Sequence, residues 1–328
     1  MYSCDLSVEI NTSHGTINMV YPVMNASGIF CYPTILRKLA PKLGAVVTKS
    51  IGPKPREGYR PPIVAWTPEG DLVNAVGLCN PGYEESLREI EEWGYYPMIA
   101  DGRRVPFIIS VFGQTPDELL EVVSALNNIC DAFELNYSCP NIREGERSGI
   151  TIGTNPSLVR LYTEGVRRVT NKPLIVKLTP NVDYQLLLDV ARAAIESGAD
   201  ILSAINTVFP GTPVDYMGRP ILTNIKGGIS GPRIKERGLE VVGVLSDLGV
   251  PIIGIGGIET AGDILEYLKA GASAVGIGTA FAYMSTQEVL NYLEGLYGEL
   301  AELIRNEYVL RPATSLMEVI GSGKYSGK

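Results

Sequence analysis

At 328 residues, with 45% hydrophobic and 20% charged side chains, the chain has an ordinary globular composition and the size of one large barrel rather than a minimal module. A formal net charge of -8, with no run of Lys and Arg interleaved with aromatics, argues against nucleic acid as a partner. The cysteines, Cys4, Cys31, Cys79, Cys130 and Cys139, are odd in number and form no C-x-x-C pair, which argues against a disulfide framework and an all-cysteine metal site, and no metal is expected.

From the N-terminus, Asp5, Glu9 and the polar run Asn11, Thr12 and Ser13 fit neither a signal peptide nor a membrane-lying basic helix, so a cytoplasmic protein without a membrane attachment is expected. The segment before Val23 reads as a hairpin plugging the bottom of a barrel. Its lone His14, in the polar turn Thr12 to Thr16, is given no catalytic role.

Eight β-branched or apolar runs follow: Val23 to Ala26, Gly44 to Ser50, Val105 to Phe112, Ala132 to Ser138, Pro173 to Thr179, Ala199 to Asn206, Pro251 to Gly257 and Ser273 to Ala280. Several lack polar alternation, as in Leu174-Ile175-Val176, which is the pattern of parallel strands covered on both faces. Helical spacing recurs between them, at Pro116 to Asn127, Asp183 to Ser197 and Ala261 to Ala270, and the last two helices run out at Gly198 and Gly271. Strict alternation of eight strands with helices predicts a single (β/α)8 TIM barrel over residues 1–328, an α/β fold with an N-terminal hairpin. Ala26-Ser27-Gly28-Ile29-Phe30 after the first strand is not the fingerprint of a doubly wound dinucleotide fold. Long connections run from Ile51 to Arg104, Cys139 to Asn155 and Thr207 to Val250, each after a strand and hence on the catalytic face. Five prolines, at 53, 55, 61, 62 and 68, predict hairpins and turns rather than helix in the first of these.

Four groups of residues could do chemistry. Three glycine-rich stretches, Gly227 to Pro232, Gly256 to Thr260 and Gly278 to Ala280, lie where such barrels bind phosphate through backbone N–H groups; each alone reads better as a tight turn, and the three together favour phosphate. Cys139 ends the fourth strand, and Pro140 turns the chain outward there, so the thiol is a candidate base if its surroundings stabilise the thiolate. Asn74, Asn136, Asn141 and Asn206 sit at strand ends and together suit a neutral heterocycle with both C=O and N–H edges. Lys49 and Lys177 lie within apolar strands and need an anionic partner, either a ligand carboxylate or a reduced flavin ring.

In order along nearly the whole chain, Asn25-Ala26-Ser27-Gly28, Val47-Thr48-Lys49-Ser50, Asn74 to Leu78, Glu134 to Asn141, Val176-Lys177-Leu178, Ile205-Asn206-Thr207, Gly227 to Pro232, Gly254 to Ile258 and Gly276 to Ala280 resemble dihydroorotate dehydrogenase. The combination of Asn-x-Ser-Cys-Pro-Asn with Thr-Lys-Ser and Asn-x-x-Gly-Leu is the specific part. The resemblance implies FMN, its phosphate on Gly231, Gly256, Gly257, Gly278 and Thr279, with Ala26, Ser27, Ser50 and Lys177 near the ring system and Lys49 and Asn136 shared between cofactor and substrate. It implies dihydroorotate held by Lys49, Asn74, Asn136, Asn141, Asn206 and Thr207, with the backbone of Val76, Gly77 and Leu78 meeting the carboxylate and Cys139 as the base. Cys139 and Asn141 depart from the membrane-bound branch and from dihydropyrimidine dehydrogenases, which typically carry Ser and His there. The segments Leu72 to Leu78 and Gly228 to Pro232 are similar to the NAD-linked heteromeric branch, implying an FAD and iron–sulfur reductase subunit and a homodimer or heterotetramer. Cys79 departs from that branch, where Gln is common, and the lid Ile142 to Ile150, with Arg143 and Arg147, is less regular. Two other readings stay open: an FMN barrel acting on a different reduced pyrimidine, and a flavin-carrying electron-transfer subunit without catalysis.

Overall fold

The computed structural model describes residues 4–142, 145, 148–307 and 316–322. Its centre is a parallel sheet of eight strands: β1 (Val23–Asn25), β2 (Val46–Val47), β3 (Phe107–Val111), β4 (Ala132–Asn136), β5 (Leu174–Lys177), β6 (Ile201–Ala204), β7 (Ile252–Ile255) and β8 (Ala274–Ile277). In space they run β1-β8-β7-β6-β5-β4-β3-β2. The ring closes between β1 and β2 through the parallel bridge Met24↔Ala45. The buried Asn25 side chain reinforces this seam by accepting from Val47 N at 2.9 Å and donating to Val47 O at 2.8 Å. An amide carries both a donor and an acceptor, so one side chain substitutes for two missing ladder bonds.

Helices form where the sequence supplies start signals. Thr115 caps Pro116–Leu126 and Asn155 caps Pro156–Val169, each with Pro in the first turn, where the missing N–H costs nothing. Thr260 and Asp263 make a reciprocal capping box at the start of Ala261–Ala270, which then stops at Gly271 in the left-handed region. These helices pack their apolar stripes onto strands that are buried throughout, which explains why β5, β7 and β8 carry unbroken apolar runs.

The hairpin Val8–Thr12 with Gly15–Met19 closes the barrel bottom. Val8, Ile10, Ile17 and Met19 point into the core. His14 holds the turn in place: its Nδ1 lies 2.7 Å from Asp200, a buried carboxylate just before β6 that also pairs with Arg167. The only histidine is therefore an anchor at the end of the barrel opposite the catalytic face.

Two insertions that look independent in the sequence build one antiparallel sheet, ordered 208–211, 227–230, 72–74 and 64–66, with its own small core of Ala65, Val73, Ala75 and Leu222. Gly227–Ser230, expected as a loop, is thus a strand, because it pairs with Leu72–Asn74 from a distant part of the chain. The first insertion also contains a helix, Tyr83–Glu92, contrary to the expectation of hairpins and turns alone. No proline falls between Pro81 and Pro97, and Tyr83 onward buries Ser86 and Ile90 on one face and puts Glu84 and Glu85 in the first turn. A hairpin follows, Ile99–Ala100 with Arg103–Arg104, turned by Asp101-Gly102 with both residues at positive φ.

Candidate active site

A cavity opens at the C-terminal ends of the barrel strands, and its wall brings together Cys139, the four candidate amides, both lysines and parts of all three glycine-rich stretches. From β1 and β2 come Ala26, Ser27, Lys49 and Ser50; from the first insertion Asn74, Val76, Gly77 and Leu78; from β4 and beyond Asn136, Cys139 and Asn141. Lys177 projects from β5, Asn206 and Thr207 follow β6, and Gly231, Gly256, Gly257, Gly278 and Thr279 complete the far side.

The glycines have geometric reasons to be there. Gly231, Gly256 and Gly257 hold φ of +112°, +133° and +65°. A Cβ on Gly257 would lie 2.8 Å from the Gly231 carbonyl oxygen, so two of the three loops touch at this point. The third loop closes on β1, where a Cβ on Gly278 would meet that of Ala26 at 3.3 Å. Two tyrosine hydroxyls hold the middle loop from behind, Tyr267 donating to Gly256 O and Tyr292 to Glu259 O. Such converging glycine backbones suit an anion, since side chains there would block its approach.

Opposite the glycines runs a chain of polar side chains. The Ser110 and Ser50 hydroxyls are 2.9 Å apart, and Asn136 Nδ2 donates to Ser50 Oγ at 2.9 Å. Ser138 Oγ donates to Asn136 Oδ1 at 3.1 Å and accepts from Asn206 Nδ2 at 2.9 Å. The amides of Asn136 and Asn206 are therefore held by serines at the ends of strands two places away in the barrel, so their orientation is set before anything binds. Asn141 donates to the Asn74 carbonyl at 2.9 Å, joining the turn after β4 to the insertion sheet. Asn141 Oδ1 and Thr207 Oγ1 are buried without hydrogen-bond partners among the described residues. Buried polar atoms of this kind are rare, and in cavity-lining residues they are free to bond a ligand.

Cys139 is half-buried beside this set, and Gly149 packs on it closely enough that a Cβ there would lie 2.5 Å from the Cys139 carbonyl oxygen. Burial pushes the thiol up from its ordinary value, opposed by the Asn141 N–H and by the positive charges of Lys49, Arg56 and Lys177. A base at this position needs surroundings that stabilise the thiolate. The cations supply that influence, but desolvation outweighs it in the open cavity. Cys4, Cys31 and Cys130 are buried, as expected of packing thiols, and Cys79 is half-buried next to Gly58.

Lys177 has a resident partner that spacing alone did not reveal: Nζ lies 3.7 Å from Glu134 Oε1, both side chains being buried. Arg56 was also missed. Its Nε donates to the Gly77 carbonyl at 2.7 Å and steadies the segment Val76 to Leu78, which Gly58 and Tyr59 back from below. Its only signal was a basic residue in a proline-rich insertion on the catalytic face. Arg143 and Arg147 of the lid lie outside the described residues.

The model of the family described as dihydroorotate dehydrogenase matches residues 10–300. The catalytic subunit of dihydroorotate dehydrogenase B (NAD(+)) from Pyrococcus abyssi is 41% identical over 305 residues, covering 92% of this chain and 94% of that protein. The subunit of the same name from Pyrococcus furiosus is 42% identical over 305 residues with the same coverage. Among solved structures, a DHODH from Eimeria tenella in complex with ferulenol superposes with a TM-score of 0.77 at 21% identity, covering 97% of this chain and 88% of the other, which supports the barrel.

Proposed function

Since the chain belongs to the dihydroorotate dehydrogenase family, we propose a residue-level account of how it oxidises dihydroorotate to orotate in pyrimidine biosynthesis. The enzyme is a flavin-dependent oxidoreductase. In our reading the flavin is FMN, and what supports this is one set of converging glycine loops, Gly231, Gly256-Gly257 and Gly278-Thr279, with no dinucleotide fingerprint. The cavity fits such a group: glycine where a Cβ would obstruct, and Ala26, Ser27, Ser50 and Lys177 along the wall between the loops and Cys139. FMN, when bound, supplies the acceptor for the hydride that leaves carbon 6 of the substrate.

The protein's own residues do the remainder. Cys139 takes the proton from carbon 5, and the positive charges of Lys49, Arg56 and Lys177 favour the thiolate this requires. Lys49 and the backbone of Val76, Gly77 and Leu78 hold the carboxylate, with Arg56 keeping that backbone in place through Gly77. Asn74, Asn136, Asn141, Asn206 and Thr207 bind the ring edges; Asn136 and Asn206 are already oriented by Ser50 and Ser138, and Asn141 Oδ1 and Thr207 Oγ1 acquire partners. Electrons then leave through a separate FAD and iron–sulfur reductase subunit to NAD, in a cytoplasmic assembly built on a homodimer or as a heterotetramer. The observation that carries this reading is that Cys139, Lys49, the amides and all three glycine loops share one cavity.

Its test is the identity of the pigment. Denaturing the purified yellow protein should release FMN and not FAD. A colourless chain that FMN cannot reconstitute would end the reading.

A further inference from the structure

Glu134 belongs to the Glu134 to Asn141 segment and pairs with Lys177, yet it does not line the cavity and has no part in the proposed reaction. We propose that Glu134 is a positioning residue that holds Lys177 below the flavin and offsets its charge, so that it sets the reduction potential of the bound cofactor. The inference rests on the reading that Lys177 faces FMN.

The barrel register places the two groups. Lys177 on β5 lies opposite Asn136 on β4 and opposite Ser203 on β6. Glu134 precedes Asn136 by two residues, on the same face of β4 and one layer deeper from the mouth. Lys177 therefore has one side toward the cavity and another toward Glu134, at 2% exposure for the acid and 4% for the base.

The contact is loose. Nζ stands 3.7 Å from Oε1, which has no hydrogen-bond partner among the described residues, while Oε2 receives a long bond from Ser203 Oγ at 3.5 Å. A buried ion pair made this poorly is a weak device for stability, because burial penalises both charges and the hydrogen bonds that would repay it are missing. Charge balance next to the site is a better account of why a carboxylate is kept there. An unopposed ammonium favours a cofactor that has gained negative charge, and an ammonium offset by Glu134 favours it less. Glu134 thus keeps the flavin from becoming too strong an oxidant for the onward transfer of its electrons.

The experiment measures the midpoint potential of bound FMN in the holoenzyme, with orotate affinity as a control. Glu134→Gln should move the potential upward, raising the ratio of reduced to oxidised flavin at a fixed potential by about tenfold, or about 30 mV for a two-electron couple. Orotate affinity should stay within about twofold of the parent. In a Lys177→Met background the same substitution should have no effect, since the cation it offsets is gone. An unchanged potential in Glu134→Gln, or an undiminished shift in the Lys177→Met background, would overturn the proposal. If the single Gln variant does not fold, Lys177→Met and the double variant decide the matter: equal potentials support the role, and a higher potential in the double variant overturns it. A parent chain that holds no FMN would remove the functional reading itself, and that is seen before any variant is made.

Discussion

Cys139 stands between opposing influences, burial that favours the neutral thiol and three cations with one backbone N–H that favour the thiolate. If it is the base, only the thiolate is competent, and a raised value means that the competent form is lost as pH falls through it. Flavin reduction by dihydroorotate should therefore still be climbing at pH values where an ordinary thiol is already ionised, and a rate that is flat across this range would contradict the assignment. Cys139→Ala should lose about 10²- to 10⁴-fold in that rate, the usual contribution of a positioned base, with orotate still bound. Stopped-flow absorbance reads both effects. Residues of this kind were legible from the sequence because they have no innocent place where they stand: a Cys-Pro at a strand end, amides ending apolar strands, lysines within parallel strands. Arg56, Ser110, Ser138 and Glu134 were not, since each acts through a contact that depends on the barrel closing. The Ser50–Ser110 bond spans 60 positions and Asn206–Ser138 spans 68, and no local spacing encodes either.

The barrel strands were legible as elements because parallel strands buried on both faces are apolar without alternation, and each is punctuated by a cap or a glycine. The insertion sheet was not, because Gly227–Ser230 has no strand character of its own; Leu72–Asn74, brought in by the other insertion, gives it hydrogen-bond partners. The loop that follows β7 lies between these cases, singled out by its position as a candidate for phosphate, while its contact with Gly231 is not encoded by any local spacing. That contact makes Gly257 the sharpest test at this scale. Gly257→Ala puts a methyl group 2.8 Å from the Gly231 oxygen and 2.9 Å from Lys235 N, on a backbone at φ +65° where any side chain is strained. FMN affinity should fall at least about tenfold, an estimate from one lost anion contact. Titration of the stripped protein with FMN measures it, and unaltered affinity would mean that the phosphate lies elsewhere.

For the whole molecule, the question is where the electrons go after substrate oxidation. The sequence has no dinucleotide fingerprint and no clustered cysteines, and no helix among the described residues is long and apolar enough to cross a membrane. Relatives sharing 41% and 42% identity are named as catalytic subunits of an NAD(+) enzyme. The isolated chain should accordingly reduce artificial dyes and not NAD, and gain NAD reduction when an FAD and iron–sulfur reductase subunit is added. Efficient fumarate reduction by the chain alone would place it with self-sufficient homodimers. Upstream of the acceptor, we propose that one cavity takes dihydroorotate and passes its hydride to FMN as Cys139 removes the proton. Mixing the purified chain with dihydroorotate in the absence of oxygen measures this most directly. The flavin absorbance should bleach with one orotate formed per flavin reduced, while dihydrouracil, which lacks the carboxylate for Lys49, leaves it coloured. Bleaching by dihydrouracil and not by dihydroorotate, or by neither, would mean that this cavity does not oxidise dihydroorotate.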